Sequence, residues 1–368
     1  MTGFLDLDIV HDEASREAFV LALKLHINTG LGPSLRGVYE ANAAPKLRKE
    51  LGRPPKDRHE IRKAMVKEPV WQSWASLWST SQEMMWDAIG EEVHRLDSDL
   101  RASAKPKAHA KGSLRVVPDF AAPRYVADVH IHGQPGGYDL NLSDDDVTAG
   151  AFCEGAGRIY ARGQGVVAKG NKSIQHLFED LRATYPALNP RRILDIGCNT
   201  GGSTLAAKAF FPDAEVHGID IGPGLMRYAH ARAEMQGVPV HFATQNGEST
   251  DYPDGYFDLI VSGTLLHEMS FKAMYNMCRE CHRLLSPGGV MAHLEVALRH
   301  RDVDDLYFQS YRDWSTHYNA EPFWGTFHDM DVIDPMKKGG FRTKDVWEKY
   351  LPTPNGGRWW AMGAQKAA

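Results

Sequence analysis

Apolar positions in the first hundred residues come in helix-length runs separated by breakers. Asp12 suits a helix N-cap, Phe19, Leu21, Leu23, Leu25 and Ile27 follow it, and Gly30 is expected to stop the run. A second helical stretch covers residues 34–51, and the prolines at 54 and 55 break it. A third covers 57–66. The longest opens at Pro69, a good first-turn residue, and is expected to reach about residue 96. Within it Trp71, Trp74, Trp78 and Met85 recur at spacings of three, four and seven, which makes one broad apolar face. Packing between helices accounts for that face; a lid or dimer surface beside a substrate pocket is the alternative.

Residues 97–112 are charged, small and unpatterned, and read as a solvated linker. Short strands are predicted at 114–117 and 125–131. His130 and His132 alternate onto one strand face like a metal-binding fragment, but no third ligand is near, so a loop is expected there and no metal site. From about residue 173 strands alternate with helices, the signature of an α/β doubly wound sheet. Seven strands are predicted, at 192–196, 215–219, 239–243, 257–262, 290–296, 343–348 and 358–364. An unusually long piece rich in Trp, Tyr, Phe and His, residues 297–338, separates the fifth and sixth. It is a candidate cap over a substrate. The expected division is therefore a helical region at 1–112, an irregular segment at 113–172, and an α/β domain at 173–368 that includes the cap.

Composition narrows the class. The 368 residues are 43% hydrophobic and 24% charged, with a net charge of −5. That balance suits a globular core and argues against a nucleic-acid partner, which usually needs a basic face. No apolar run approaches the ~18 residues of a membrane span. The N-terminus lacks the basic-then-apolar order of a signal peptide, so a cytoplasmic location is expected. Four cysteines make no disulfide framework, and Cys278 and Cys281 read as reduced thiols on a helix.

The segment from Arg192 to Thr204 carries the most specific chemistry. A strand ends in Asp195-Ile196-Gly197, a loop follows through Cys198, Asn199, Thr200 and Gly201, and a helix begins near Ser203. Glycine lets the backbone turn sharply and approach a ligand, and the helix start offers free N–H groups to a carboxylate. Asp195 would be unwelcome beside two phosphates and favourable beside the ammonium of an amino-acid ligand.

This segment resembles the first motif of class I S-adenosylmethionine (SAM)-dependent methyltransferases. It departs from the commonest form at Asn199, and Asn is the best non-glycine choice for a left-handed turn. The resemblance continues in order over about residues 173–366. Asp220, with Ile221 after it, stands where the family places the acid that accepts both ribose hydroxyls. Asn246, Gly247 and Glu248 match the adenine-binding turn, Ser262 and Gly263 end the fourth strand, and Pro287-Gly288-Gly289 matches the turn before the fifth. The resemblance implies a seven-stranded Rossmann-like methyltransferase sheet with SAM as cofactor. It also implies that Tyr160 and Arg162 close over the amino-acid end of the cofactor.

His267 follows the fourth strand, where small-molecule members of this class often place a base. A structural cap is the plainer account of the same residue. Glu268 reads as an acid at a helix start. In the cap Trp314, His317, Tyr318, Phe323, Trp324 and His328 are the candidate substrate cage, and core packing of the insertion explains the same residues equally well. These readings favour methyl transfer to a small aromatic or apolar substrate, O-methylation first, with His267 as base. Non-methylating chemistry on bound SAM and a non-catalytic SAM-binding regulator are the alternatives. A homodimer through the N-terminal helices is a further expectation, by analogy.

Overall fold

Strands buried on both faces need near-continuous apolar runs, and residues 192–196 and 257–263 supply them. The computed structural model describes residues 9–105, 109–164, 172–297, 299–353 and 357–368. Eight strands form one sheet: β1 (Ser113–Arg115), β2 (Arg192–Ile196), β3 (Glu215–Asp220), β4 (His241–Thr244), β5 (Phe257–Gly263), β6 (Leu285–Val296), β7 (Val346–Pro352) and β8 (Arg358–Gln365). Their order is β1-β4-β3-β2-β5-β6-β8-β7. Six run parallel, and β8 pairs antiparallel with both β6 and β7. The seven predicted strands of the α/β domain are all present, and the short strand expected at 114–117 appears as β1 at the edge. The order reverses at β2, where β3 lies on one side and β5 on the other. Ligands of open α/β sheets bind in the crevice at such a switch point.

Alternation along the strands feeds two cores. Ile193, Leu259, Val261 and Val290 face one side, against α8 (Lys172–Thr184), α9 (Gly202–Phe210) and α10 (Pro223–Met235). Leu194, Ile260 and Met291 face the other, against α11 (Phe271–Leu284). Cys278 and Cys281 are free thiols in this second core.

The N-terminal helices differ from expectation in two places. Gly30 does not stop the first: α1 (His11–His26), α2 (Gly32–Val38) and α3 (Ala44–Leu51) run on through π turns at Ile27–Leu31 and Tyr39–Ala43. Each π turn precedes a proline, Pro33 or Pro45, and a widened turn relieves the clash of the ring with the preceding backbone. Gly52, in a left-handed conformation, ends α3 instead. After α4 (Arg58–Met65), capped by the Asp57 carboxylate accepting from the Glu60 N–H, α5 runs from Pro69 to Ala104. It thus extends into the expected linker, because Leu100 and Ala104 are buried against α7 (Thr148–Gln164) and its neighbours. Residues 125–131 form no strand. They begin in α6 (Arg124–Ala127) and reach a 3-10 turn at Ile131–Gly133.

The cap consists of α12 (Leu306–Arg312), α13 (Trp314–Tyr318), α14 (Trp324–Asp329) and α15 (Ile333–Gly339). The tryptophan face of α5 packs on it: Trp78 stacks on Trp314 at 4.3 Å, and Trp71 Nε1 donates to the Tyr318 hydroxyl at 3.0 Å. Arg58 spans from α4 to Asp313 and Asp329. The N-terminal helices and the cap therefore share one core. No helix among the described residues is long and apolar enough to cross a membrane. Trp74 is 1% exposed and touches both Tyr311 and Tyr318 of the cap. Trp74→Ala is expected to cost about 3–5 kcal/mol, read as a lower thermal or denaturant midpoint. An unchanged midpoint would show that this core does not tie the cap down.

Candidate active site

The loop after β2 is held open by backbone geometry. Gly197, Asn199 and Gly201 all have positive φ, at 67°, 48° and 77°. Asn199 thus adopts the left-handed turn expected of it. The N–H groups of Gly197 and Cys198 donate to the Ile219 carbonyl, and the Asn199 N–H donates to Asp220 Oδ2 at 2.9 Å. Asp220 Oδ1 accepts from the Ile221 N–H at 2.7 Å. The Gly222 N–H also donates to Oδ1, at 3.4 Å, and Asp220 lines the cavity. Burial pushes the Asp220 carboxyl up to about 6.

A cavity of about 910 Å³ opens above this edge. Its floor includes Gly197, Asn199, Asp220, Ile221, Asn246 and Gly247, and its walls include His267, Trp314, Trp324 and Trp78. Leu25, Asn28 and Thr29 of the N-terminal helices also reach it. A smaller cavity of about 280 Å³ lies beside Cys198, Thr200, Ser203, Cys153 and Tyr160.

Two histidines and three glutamates line up at the wall. His267 stands on a 3-10 turn (Leu266–Glu268) after β5, and Glu295 on the neighbouring β6. Glu295 Oε1 accepts from the Leu266 N–H, and Oε2 accepts from His267 Nδ1 at 2.7 Å. His267 Nε2 faces Glu321 Oε2 at 3.8 Å. Glu321 Oε1 accepts from Asn319 Nδ2 at 2.7 Å and lies 3.4 Å from His132 Nδ1. His132 Nε2 meets Glu268 Oε1 at 3.0 Å, which also accepts from the Tyr138 hydroxyl at 3.1 Å. Burial alone would lower the pKa of His267. The charge and hydrogen bond of Glu295, helped by Glu268 and Glu321, outweigh it and raise the ring to about 9. His132 is likewise raised to about 10, burial being outweighed by Glu321 and Glu268. For Glu321 burial acts upward, yet the two rings pull it down to about 2.

Backbone strain collects here too. Among the described residues the non-glycine positions with positive φ are His132, Asn199, Thr264 and Ala320. The first three line the cavity and Ala320 lies between two that do, Asn319 and Glu321. Such conformations cost about 1–3 kcal/mol each and persist where the surroundings over-determine them. At His132 the surroundings are visible: its carbonyl accepts from Gln82 Nε2 and Trp86 Nε1 of α5.

Several expected contacts fall elsewhere. Asp195 is fully buried behind the loop, with Oδ2 accepting from Ser203 and Thr204 hydroxyls at 2.6 and 2.7 Å. It holds the strand-to-helix junction and does not face either cavity. Ser262 is turned into the sheet toward His293 Nδ1 at 2.7 Å. The Glu248 carboxylate is taken by Tyr125 and Asn276, away from the cavity. Gly201 sits behind the loop, where a Cβ would meet Phe242 at 2.9 Å. Of the cap residues, Trp314 and Trp324 line the cavity. His317 turns to Asp313, Tyr318 to Trp71 and Trp74, Phe323 to Tyr125, and His328 packs on Trp324 and Phe327. These four are drawn into packing because the cap must cover its own core. Tyr160 lines both cavities, its hydroxyl donating to Gln82 Oε1 at 3.0 Å. The side chain of Arg162 lies outside the described residues.

Glu321, His132, Tyr138 and Arg312 of the wall, and Glu295 buried behind His267, are the residues that sequence reasoning missed. The one available signal was the pair His130 and His132, whose second member does carry chemistry, as a partner of carboxylates.

Residues 193–289 match a family described as a methyltransferase domain. The demethylmenaquinone methyltransferase of Thermus thermophilus is 34% identical over 122 residues, 33% of this chain and 54% of that protein. Over these residues the chain is similar to methyltransferase domains. A trans-aconitate 2-methyltransferase of Methylobacterium radiotolerans is 34% identical over 134 residues, 34% of this chain and 49% of that one. The chain thus spans about half the length of these curated relatives. Among solved structures, a SAM-dependent methyltransferase from Methanosarcina mazei is 20% identical, with a TM-score of 0.39, covering 51% of this chain and 97% of that one.

The residues present fit SAM, the cofactor that the resemblance implies. Asp220 offers two acceptor oxygens to adjacent hydroxyls. The left-handed loop permits close approach, and the smaller polar cavity beside the start of α9 suits an amino-acid carboxylate. Asp220→Ala is expected to weaken S-adenosylhomocysteine binding at least about tenfold, about 1.4 kcal/mol, by calorimetric titration. Unchanged affinity would remove Asp220 from the cofactor site.

Proposed function

We propose that this chain methylates a hydroxyl oxygen of a small molecule held under the aromatic cap, with the His267–Glu295 pair as base. One observation carries the reading: the cofactor loop with Asp220 and the His267 wall share a single cavity of about 910 Å³. The cap aromatics surround that space and leave it open, which supports catalysis over a binding-only role.

Bound beside Asp220, SAM supplies an electrophilic methyl group. The chain's own residues supply the rest. Glu295 has only acceptor oxygens, so Nδ1 of His267 carries its proton toward it and Nε2 turns to the cavity. A substrate hydroxyl seated there would give its proton to neutral Nε2, readying its oxygen for the methyl that SAM would supply as its S–CH3 bond breaks and S-adenosylhomocysteine leaves. The imidazolium that forms is stabilised by Glu295 at 2.7 Å. Trp78, Trp314 and Trp324 exclude water and hold a flat ring in place, and much of the rate comes from that alignment.

The resting ring, raised to about 9, is protonated at neutral pH, and only its neutral form is a base. Turnover, measured as methylated product by mass spectrometry, is therefore expected to rise with pH and level off near 9. Glu295→Gln removes the anion that raises the ring, so the inflection should move to lower pH. His267→Ala is expected to lower kcat on the order of a hundredfold or more while S-adenosylhomocysteine still binds. A flat profile between pH 6 and 9 in the native protein, with His267→Ala fully active, would exclude the base role.

A further inference from the structure

The cavity wall holds one cation that the network of histidines and glutamates leaves alone. Arg312, the last residue of α12, lines the cavity next to Tyr311 and Trp314. Among the described residues no carboxylate lies within ion-pair distance of its guanidinium, and no hydrogen bond engages it. The buried arginines elsewhere are engaged: Arg58 pairs with Asp313 and Asp329, Arg158 with Glu17 and Glu92, and Arg232 with Glu154, while Arg227 donates to Asn141 Oδ1 and the Asp146 carbonyl. Burial works against the charge on Arg312, and Glu321 supports it only from a distance. An inward guanidinium without a counter-ion is costly, so a bound anion there would be strongly favoured.

The site therefore lacks one anion, at Arg312. Tyr125, Trp78, Trp314 and Trp324 line the space and favour a flat apolar body.

We propose that the substrate is a small aromatic hydroxy acid, its carboxylate received by Arg312 and its hydroxyl directed to His267 Nε2. This rests on the methyl-transfer reading above and adds to it the substrate class and a specificity-determining residue. A cationic substrate is disfavoured by Arg312 itself. A single guanidinium presents a planar fork suited to a monoanionic carboxylate. A phosphate dianion would call for a second free cation.

The test is calorimetry on the full chain saturated with S-adenosylhomocysteine. The probes are 4-hydroxybenzoate, 4-hydroxyphenylacetate and 4-hydroxycinnamate, each beside its neutral amide, with phenyl phosphate as a further arm. At least one acid should bind about tenfold or more tighter than its amide, and tighter than phenyl phosphate. Arg312→Gln should erase that preference while the affinity for S-adenosylhomocysteine stays as in the native chain, and Arg312→Lys should restore part of it. Acids that bind no better than their amides, whether both bind or neither does, overturn the assignment. So does a preference that survives in Arg312→Gln, or tighter binding of phenyl phosphate. Failure of S-adenosylhomocysteine itself to bind would instead sink the methyltransferase reading beneath it.

Discussion

Glu295 has no exposed surface, and its carboxylate meets the ring of His267, itself buried, at 2.7 Å. Neither charge is tolerable there alone: breaking such a pair by removing one partner costs about 3–5 kcal/mol. The pair also joins two adjacent parallel strands at their carboxyl ends, since His267 follows β5 and Glu295 lies in β6. Glu321, brought in from the cap, and His132, held by α5, extend it into a chain of alternating charges. The protonation of the cavity wall depends on that chain.

The architecture supplies the constraint that keeps the chain closed. A doubly wound sheet leaves its switch point open to solvent, and here the N-terminal helices and the cap cover it with one shared core. The long α5 does two tasks along its length. Trp71, Trp74 and Trp78 pack against the cap, and Gln82 and Trp86 fix the carbonyl of His132. Positive φ at His132, Thr264 and Ala320 is the cost of setting side chains around a closed space.

Much of the sheet and of the cofactor edge was legible in the chain. β2 reads as an apolar run bounded by glycine, and the acid at Asp220 and the turn at Asn246 follow at local spacing. Asn199 was expected to take a left-handed turn and does. The wall was not legible, because its contacts are distant in sequence: His132 and Glu268 are 136 residues apart, and His132 and Asn319 are 187 apart. No periodicity reports such pairs. The cap misled for a related reason. Six aromatic and histidine residues there suit a cage equally well, but His317, Tyr318, Phe323 and His328 are needed to pack the cap itself. Likewise Gly30 reads as a stop, and only the π turn at Ile27–Leu31 lets the helix pass it.

The central claim is that cofactor and acceptor meet in one cavity, with the reacting methyl turned to the His267 wall. A crystal structure of the chain with S-adenosylhomocysteine tests it most directly. The account predicts the ribose on Asp220, the adenine against Asn246, and the sulfur facing the space between His267 and Trp314. An adenosyl group lodged under the cap, or a sulfur turned away from His267, would contradict it.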